Sequence, residues 1–367
     1  MTGIEERLRH LILEHGPISV ARYMTLALAH PTGGYYPTRD PLGANGDFVT
    51  APEVSQMFGE LIGLAFVSYW LEIGRPSRVS IVELGPGRGT LMADMLRAAR
   101  VAPAFGDAAA IHLVETSPVL RERQAAALPN LPVYWHDSLD AVPDDRPLLL
   151  VANEFLDAFP IRQFVRRAGR WHERLIGVDA EGQFRFAVAR HATPFPEAVA
   201  GVTGDASEES VLELGPARQA MAETIARRVA RQGGMALLID YGSDAGPPAT
   251  DTFRAVRRHA AVDPLDHPGQ ADLSAHVDFA AVAAAARSGG ATVFGPITQA
   301  MFLERLGIGQ RLERLARAAS PDKTAALASG YRRLVDPDAM GELFKVLALA
   351  SPDGPAPAGF YAEERQP

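Results

Sequence analysis

Apolar residues along the chain follow two periods, and the change from one to the other outlines the fold. Helical spacing covers residues 5–15 and closes at Gly16-Pro17. Ser19 stands where it would cap a second helix, which runs to His30 before Pro31 to Pro37 breaks the pattern. A long helix begins near Val54 and ends near Gly74. Short apolar runs then recur at 79–82, 111–115, 132–135, 148–152 and 235–240, with later ones at 291–295 and 343–350. Helical stretches at 91–96, 216–231, 280–286 and 303–319 lie between or after them. Five alternating β/α units plus two late strands predict a doubly wound α/β sheet.

Residues 161–190 break that rhythm. Apolar and polar positions alternate over 163–167, 171–178 and 183–189, with turns at Ala168-Gly169 and 179–182, which predicts an inserted β-meander. The expected organisation is therefore a helical cap and lid loop (1–75), a first part of the core (76–160), and the β-rich insertion (161–215). The second part of the core with its own insertions follows (216–352), then a flexible proline-rich tail (353–367).

Composition narrows the chemistry. The 367 residues carry 36 basic and 44 acidic side chains, a formal charge of −8. That surface has no generic attraction for phosphate backbones, so no nucleic-acid partner is expected. No apolar run is long enough to span a bilayer, and the opening residues lack a signal-peptide core, so the expected compartment is the cytoplasm. Cysteine is absent, which excludes disulfides, thiolate metal sites and cysteine nucleophiles. No metal site is expected.

The strongest local signal is Ile81-Val82-Glu83-Leu84-Gly85-Pro86-Gly87-Arg88-Gly89-Thr90-Leu91: a strand, three glycines at alternate positions, and a helix start. Glycines there permit backbone angles and a ligand approach that a Cβ would forbid, and helix-start amides favour polar or anionic groups. A nucleotide-like cofactor fits. Dinucleotide folds space their glycines as G-x-G-x-x-G; here the third comes one position early and Glu83 sits two residues before the first. Glu115, ending the second core strand, is placed to accept both ribose hydroxyls. Asp137, after the third, is a helix cap or, by the family resemblance given next, an adenine contact. The E-x-G-x-G-x-G pattern resembles motif I of class I S-adenosylmethionine methyltransferases, whose acid and glycine turn hold the methionine end of the cofactor. The resemblance implies the seven-stranded sheet of that class, with Glu83, Gly85, Gly87, Gly89, Glu115 and Asp137 binding S-adenosylmethionine.

The fourth core strand opens into Asn153-Glu154-Phe155-Leu156-Asp157-Ala158-Phe159-Pro160. In open parallel sheets ligands bind beyond the carboxyl ends of strands. Two carboxylates, an amide and two phenyl rings there predict a polar reaction centre with aromatic walls. The polar stretch Gly46-Asp47-Phe48-Val49-Thr50-Ala51-Pro52-Glu53 is either a surface connection or a cofactor or substrate lid. His276, in Asp272 to Phe279, is either a general base or a structural histidine. The basic triplet at 257–259 is a phosphate patch or, among its acidic neighbours, internally paired.

These segments, with 239–242 and Phe344 to Leu349, occur in one order that resembles the MidA-type family. Its mitochondrial member is an arginine methyltransferase that assists assembly of respiratory complex I. The resemblance covers nearly the whole chain. It departs at Ala51, where the family often has serine. It implies methyl transfer from S-adenosylmethionine to an arginine of a protein substrate such as a complex I subunit. Glu154, Asp157 and His276 would be the catalytic residues, and Asn153, Asp47 and Thr50 further cofactor contacts. The carboxylates would orient the guanidinium and His276 would assist proton removal. A small-molecule O- or N-methyltransferase and a non-catalytic assembly chaperone are the competing readings.

Overall fold

The computed structural model describes residues 3–38, 49–193, 206–247 and 250–366. The chain divides into two compact units. One comprises Val49–Phe155, Met221–Gly242 and Val282–Pro367; the other comprises Met1–Phe48, Leu156–Ala220 and Ser243–Ala281. The first division falls at Phe48/Val49, inside the 1–75 segment expected to form one cap.

The unit with the glycine turn is built on seven strands: β1 (Val79–Leu84), β2 (Ala109–Val114), β3 (Val133–His136), β4 (Leu148–Asn153), β5 (Gly234–Ser243), β6 (Thr292–Thr298) and β7 (Phe344–Ala350). Their order is β6-β7-β5-β4-β1-β2-β3. Strands β5, β4, β1, β2 and β3 are mutually parallel, and β7 runs antiparallel to both β5 and β6. This is the doubly wound sheet the apolar runs predict. Every residue of β1 and β4 is buried, as befits central strands covered on both faces. Strand β6 extends past the predicted end at 295 through a register shift between Phe294 and Ile297.

The Gln56–Glu72 helix packs on the Thr90–Ala99 helix that follows the glycine turn. Gly63 permits this: a Cβ there would lie 2.4 Å from the Met95 carbonyl oxygen. Within this packing, Glu60 is buried and receives Arg97 and Arg311 at 3.0 and 2.7 Å. Burial pushes its carboxyl up, but the two guanidinium groups outweigh that and hold it below its ordinary value.

The expected loose tail is instead tied down. Phe360 is buried, with its ring against Phe294 and Phe302. Glu364 accepts two hydrogen bonds from Arg305 at 2.8 and 2.9 Å, and the Gln366 amide donates to Val293. Proline content alone did not show that one aromatic residue would anchor this segment.

The other unit opens with helices Gly3–His15 and Val20–Ala29, the latter capped by the Ser19 hydroxyl. Its main sheet runs Ile18–Ser19, Arg170–Val178, Arg162–Arg167, Val211–Leu214, with Phe184–Ala192 also paired to Arg170–Val178. The predicted meander is thus present, joined by two further strands. A second sheet holds Ala260–Val262, Arg254–Arg257 and Asp272–Ser274. The periodicity did not reveal it, because its strands are three or four residues long. The basic triplet forms its hairpin turn, with Arg258 and His259 both left-handed.

Candidate functional site

The glycine turn occupies the carboxyl end of β1. Gly85, Gly87 and Gly89 have φ of 62°, 52° and 83°, the region that favours glycine. At Gly85 a Cβ would also come within 2.8 Å of the Phe155 ring. Gly89 is the N-cap of the Thr90–Ala99 helix.

Glu83, at the end of β1, is 3% exposed. Burial pushes its carboxyl well above the usual carboxylate range, opposed by a backbone hydrogen bond from Met92. Its Oε2 has no hydrogen-bond partner among the described residues, and neither has Oδ1 of Asn153 at the end of β4. Buried oxygens of this kind are costly unless a ligand or water supplies the donor.

Glu115 is buried beyond β2, accepting from the Ser117 amide at 2.8 Å and from Gln124 Nε2 at 3.3 Å. Burial raises its pKa, and those hydrogen bonds moderate the shift. Gln124, which the sequence reading missed, is fully buried. Its amide also donates to the Gly87 carbonyl at 2.8 Å and accepts from Trp135 Nε1 at 2.8 Å. One side chain therefore links the glycine turn, Glu115 and β3. A polar residue at a helical core position was its only sequence signal. Asp137 is mostly exposed and pairs with Arg121 at 2.7 Å; Arg121 also donates to the Glu115 carbonyl.

Thr50 precedes the Ala51–Val54 helix without capping it through its side chain; its carbonyl accepts from the Glu53 and Val54 amides. This segment is brought to the site by two bonds the sequence did not foretell. The Ala51 amide donates to Glu154 Oε1 at 2.9 Å, and Thr90 Oγ1 donates to Glu53 at 2.5 Å. Asp47 lies outside the described residues.

Glu154 follows β4 with φ of 48°, an uncommon angle for a residue with a side chain. Its amide donates to the Ile239 carbonyl at 2.8 Å, and Oε1 also accepts from Asn153 Nδ2 at 3.2 Å. The Asp240 carboxylate holds the next amide, that of Phe155, at 3.2 Å. Strain of this order, about 1–3 kcal/mol, persists where surrounding bonds over-determine it and is common at functional sites.

Asp157 and His276 belong to the other compact unit. Asp157 is buried, and its carbonyl accepts from the Ala275 amide at 3.2 Å. The His276 amide donates to Thr252 Oγ1 at 2.9 Å. Burial, and then the charges of Arg254 and Arg218, lower the His276 pKa and favour the neutral ring. Nearby in the same unit, the half-buried Tyr36 donates to Asp272 at 2.7 Å.

The donor and acceptor set at the glycine turn fits S-adenosylmethionine. Buried acceptor oxygens on Glu83 and Asn153 suit an ammonium group, and Glu115 adds a buried carboxylate beyond the neighbouring strand β2. The family model for S-adenosyl-L-methionine-dependent methyltransferases matches residues 61–297. The protein arginine methyltransferase NDUFAF7 homolog of Drosophila melanogaster, a mitochondrial protein, is 40% identical over 95% of this chain and 84% of its own. The mitochondrial protein arginine methyltransferase NDUFAF7 of Homo sapiens is 38% identical over 93% and 82%. A Burkholderia thailandensis protein solved with S-adenosyl-homocysteine bound superposes with a TM-score of 0.85 at 31% identity, covering 99% of this chain and 95% of that one.

The comparisons correct one expectation. Relatives this similar are mitochondrial, so the cytoplasmic placement read from composition and the opening residues does not stand. Among the described residues no helix is long and apolar enough to cross a membrane. With the sheet order, the glycine turn and these likenesses in agreement, the chain belongs to the S-adenosylmethionine-dependent methyltransferases of the MidA type and uses S-adenosylmethionine as its cofactor.

Proposed function

We propose that this methyltransferase acts on an arginine side chain of a protein, a subunit of respiratory complex I being the expected target. The observation that carries the reading is Glu154, a carboxylate held in a left-handed conformation at the end of β4 by bonds to Ile239 and Ala51. The relatives named protein arginine methyltransferase support it over nearly the full chain.

A guanidinium is protonated at any ordinary pH, so it must be oriented and its charge localised for one nitrogen to attack, and a proton must leave as that nitrogen gains the methyl group. Glu154 supplies the complementary charge, and a bidentate pair would favour arginine over lysine by its fork geometry. Asp157 is the second carboxylate of this reading. His276, whose pKa is lowered by burial and then by Arg254 and Arg218, would take the proton that the methylated nitrogen releases. The glycine turn with Glu83, Asn153, Glu115, Asp137 and Thr50 would hold the cofactor, and the sequence assigns Asp47 the same role. The cofactor supplies an activated methyl group, so alignment is the protein's main task.

The test is transfer of labelled methyl to an extract of cells lacking this protein, with methylarginine read by mass spectrometry. Glu154→Gln keeps Oε1 for the Ala51 and Asn153 bonds but removes the charge. Transfer should fall by about a hundredfold or more, with S-adenosylhomocysteine affinity within about twofold and the melting temperature little changed. If Glu154→Gln methylates arginine normally, the mechanism is wrong. If the label enters small molecules and no methylarginine appears, the acceptor class is wrong.

A further inference from the structure

Arg218 lies on the Pro216–Gln232 helix, 3% exposed, in the compact unit that holds Asp157 and His276. Nη2 donates to the carbonyls of Asp157 at 2.7 Å, Ala275 at 3.0 Å and Phe159 at 3.4 Å; Nη1 donates to that of His276 at 2.5 Å. The two segments it joins are far apart in the chain, one after β4 and one before Val277. Gly215 clears the path, since a Cβ there would sit 2.8 Å from Arg218 Cδ.

We infer that Arg218 is a positioning residue for methyl transfer, fixing the Asp157 segment against the His276 segment through its fan of carbonyl bonds. The inference rests on the reading above, in which those two residues serve the acceptor.

A guanidinium suits this task because its donors diverge from one rigid plane. Lysine carries the same charge but concentrates its donors on one nitrogen, so it cannot reach all four carbonyls in the same geometry. The bonds to the Asp157, Ala275 and His276 carbonyls limit movement of backbone that belongs to or adjoins the two proposed site residues, and the bond to Phe159 ties the same segment two residues on. A misplacement of about 1 Å at a reacting group can cost about a hundredfold in rate. Thr252 adds a second tie: its hydroxyl accepts from the His276 amide and donates to the buried Glu213.

Arg218 also contributes charge. The charges that act on the His276 ring are those of Arg254, on the Arg254–Arg257 strand, and Arg218; Glu213 lies one hydroxyl away, through Thr252, from the His276 amide, and Asp278 is two residues on. Both arginines favour the neutral imidazole.

The experiment uses the full chain, with S-adenosylhomocysteine binding, melting temperature and transfer to the protein extract measured across pH. Arg218→Lys should bind S-adenosylhomocysteine within about twofold of wild type yet transfer methyl about tenfold to a hundredfold more slowly. Its acid limb should stay in place, because the charge is kept. Arg218→Met should show the same loss with the acid limb moved to higher pH, because a cation beside His276 is gone. A wild-type rate in folded Arg218→Lys overturns the inference. So does an unmoved limb in Arg218→Met with a loss that follows melting temperature alone.

Should neither variant fold, Thr252→Val unties the His276 end, together with the bond to Glu213, and should slow transfer several-fold, with Thr252→Ser, which keeps both bonds, at the wild-type rate. Equal rates for Thr252→Val and wild type overturn the inference by that route. Asp157→Asn and His276→Gln separate the levels. If both transfer normally, the acceptor reading falls and this inference with it. If both are impaired while Arg218→Lys is not, only the inference falls.

Discussion

The two compact units assemble polar groups in different ways. In the glycine-turn unit, Glu83, Gly85, Gly87 and Gly89 sit within one strand and its turn, and Glu83 Oε2 and Asn153 Oδ1 are among the buried oxygens with no partner among the described residues. In the other unit the polar groups come from far apart. Tyr36 reaches Asp272 across 236 positions, and Arg218 reaches Asp157 across 61. The first site is made by local backbone geometry and leaves acceptor atoms for a ligand. The second is made by long-range hydrogen bonds that protein groups complete. Local geometry lets one segment be recognised alone; the long-range kind exists only once the chain has folded.

The sharpest way to break this comparison is a substitution in each unit read by the same ligand. Gly87 has φ of 52°, which a β-branched residue adopts only under strain. Its carbonyl is also the acceptor for Gln124. Gly87→Val should therefore weaken S-adenosylhomocysteine binding by about a hundredfold or more, equivalent to about 2.7 kcal/mol. Asp272→Asn, in the other unit, should leave that affinity within about twofold. Calorimetry on both variants decides it, and comparable losses would mean that cofactor binding is not confined to the glycine-turn unit.

A finer cut within the glycine-turn unit compares two acids. Glu115 is buried and held by Ser117 and Gln124, whereas Asp137 is exposed and paired with Arg121. Hydrogen bonds to a charged acceptor are worth about 1.5–3 kcal/mol each before losses, so Glu115→Ala should weaken S-adenosylhomocysteine binding about tenfold or more. Asp137→Ala should cost less, because its carboxylate already competes with water and Arg121. The reverse order would show that the third strand, not the second, carries the ribose contact.

How far the sequence could be read follows the same division. The core strands were legible because their runs are buried on both faces, and the glycine turn because its strained angles demand a residue type. Gln124 was not, since nothing at that position marks a buried amide that meets three partners. The Arg254–Arg257 hairpin escaped because its strands are too short to show a period. The tail was misread because one buried phenyl ring, Phe360, outweighs its proline content. Glu154 and Asp157 were legible as two carboxylates beyond the fourth core strand, but the division between the compact units that falls between them, at Phe155/Leu156, was not.

The smallest effect separates an open buried atom meant for a ligand from one that is part of the core. His112 on β2 is 3% exposed, its Nδ1 lies 3.0 Å from His136 Nε2, and its Nε2 has no partner among the described residues. Burial, then the charges of His136, Arg146 and Arg228, lower its pKa to about 4, with Asp145 opposing. The unfolded ring titrates near about 6.5. Because the folded value is the lower one, the stabilisation from keeping this ring neutral is complete above about pH 6.5 and drains away as pH falls toward 4. By pH 5 one such group accounts for a loss on the order of 1–2 kcal/mol, or a few degrees in a chain of this size. His112→Phe keeps a ring against Tyr134 and cannot titrate. Its melting temperature should therefore fall less between pH 7 and pH 5 than that of wild type. Saturating S-adenosylhomocysteine should raise both melting curves without changing the gap, since His112 is placed in the core and not at the glycine turn. Parallel losses in the two proteins would show that His112 is not held neutral. A gap that closes on adding S-adenosylhomocysteine would instead tie His112 to cofactor binding, and the distinction between the two kinds of open atom would fail.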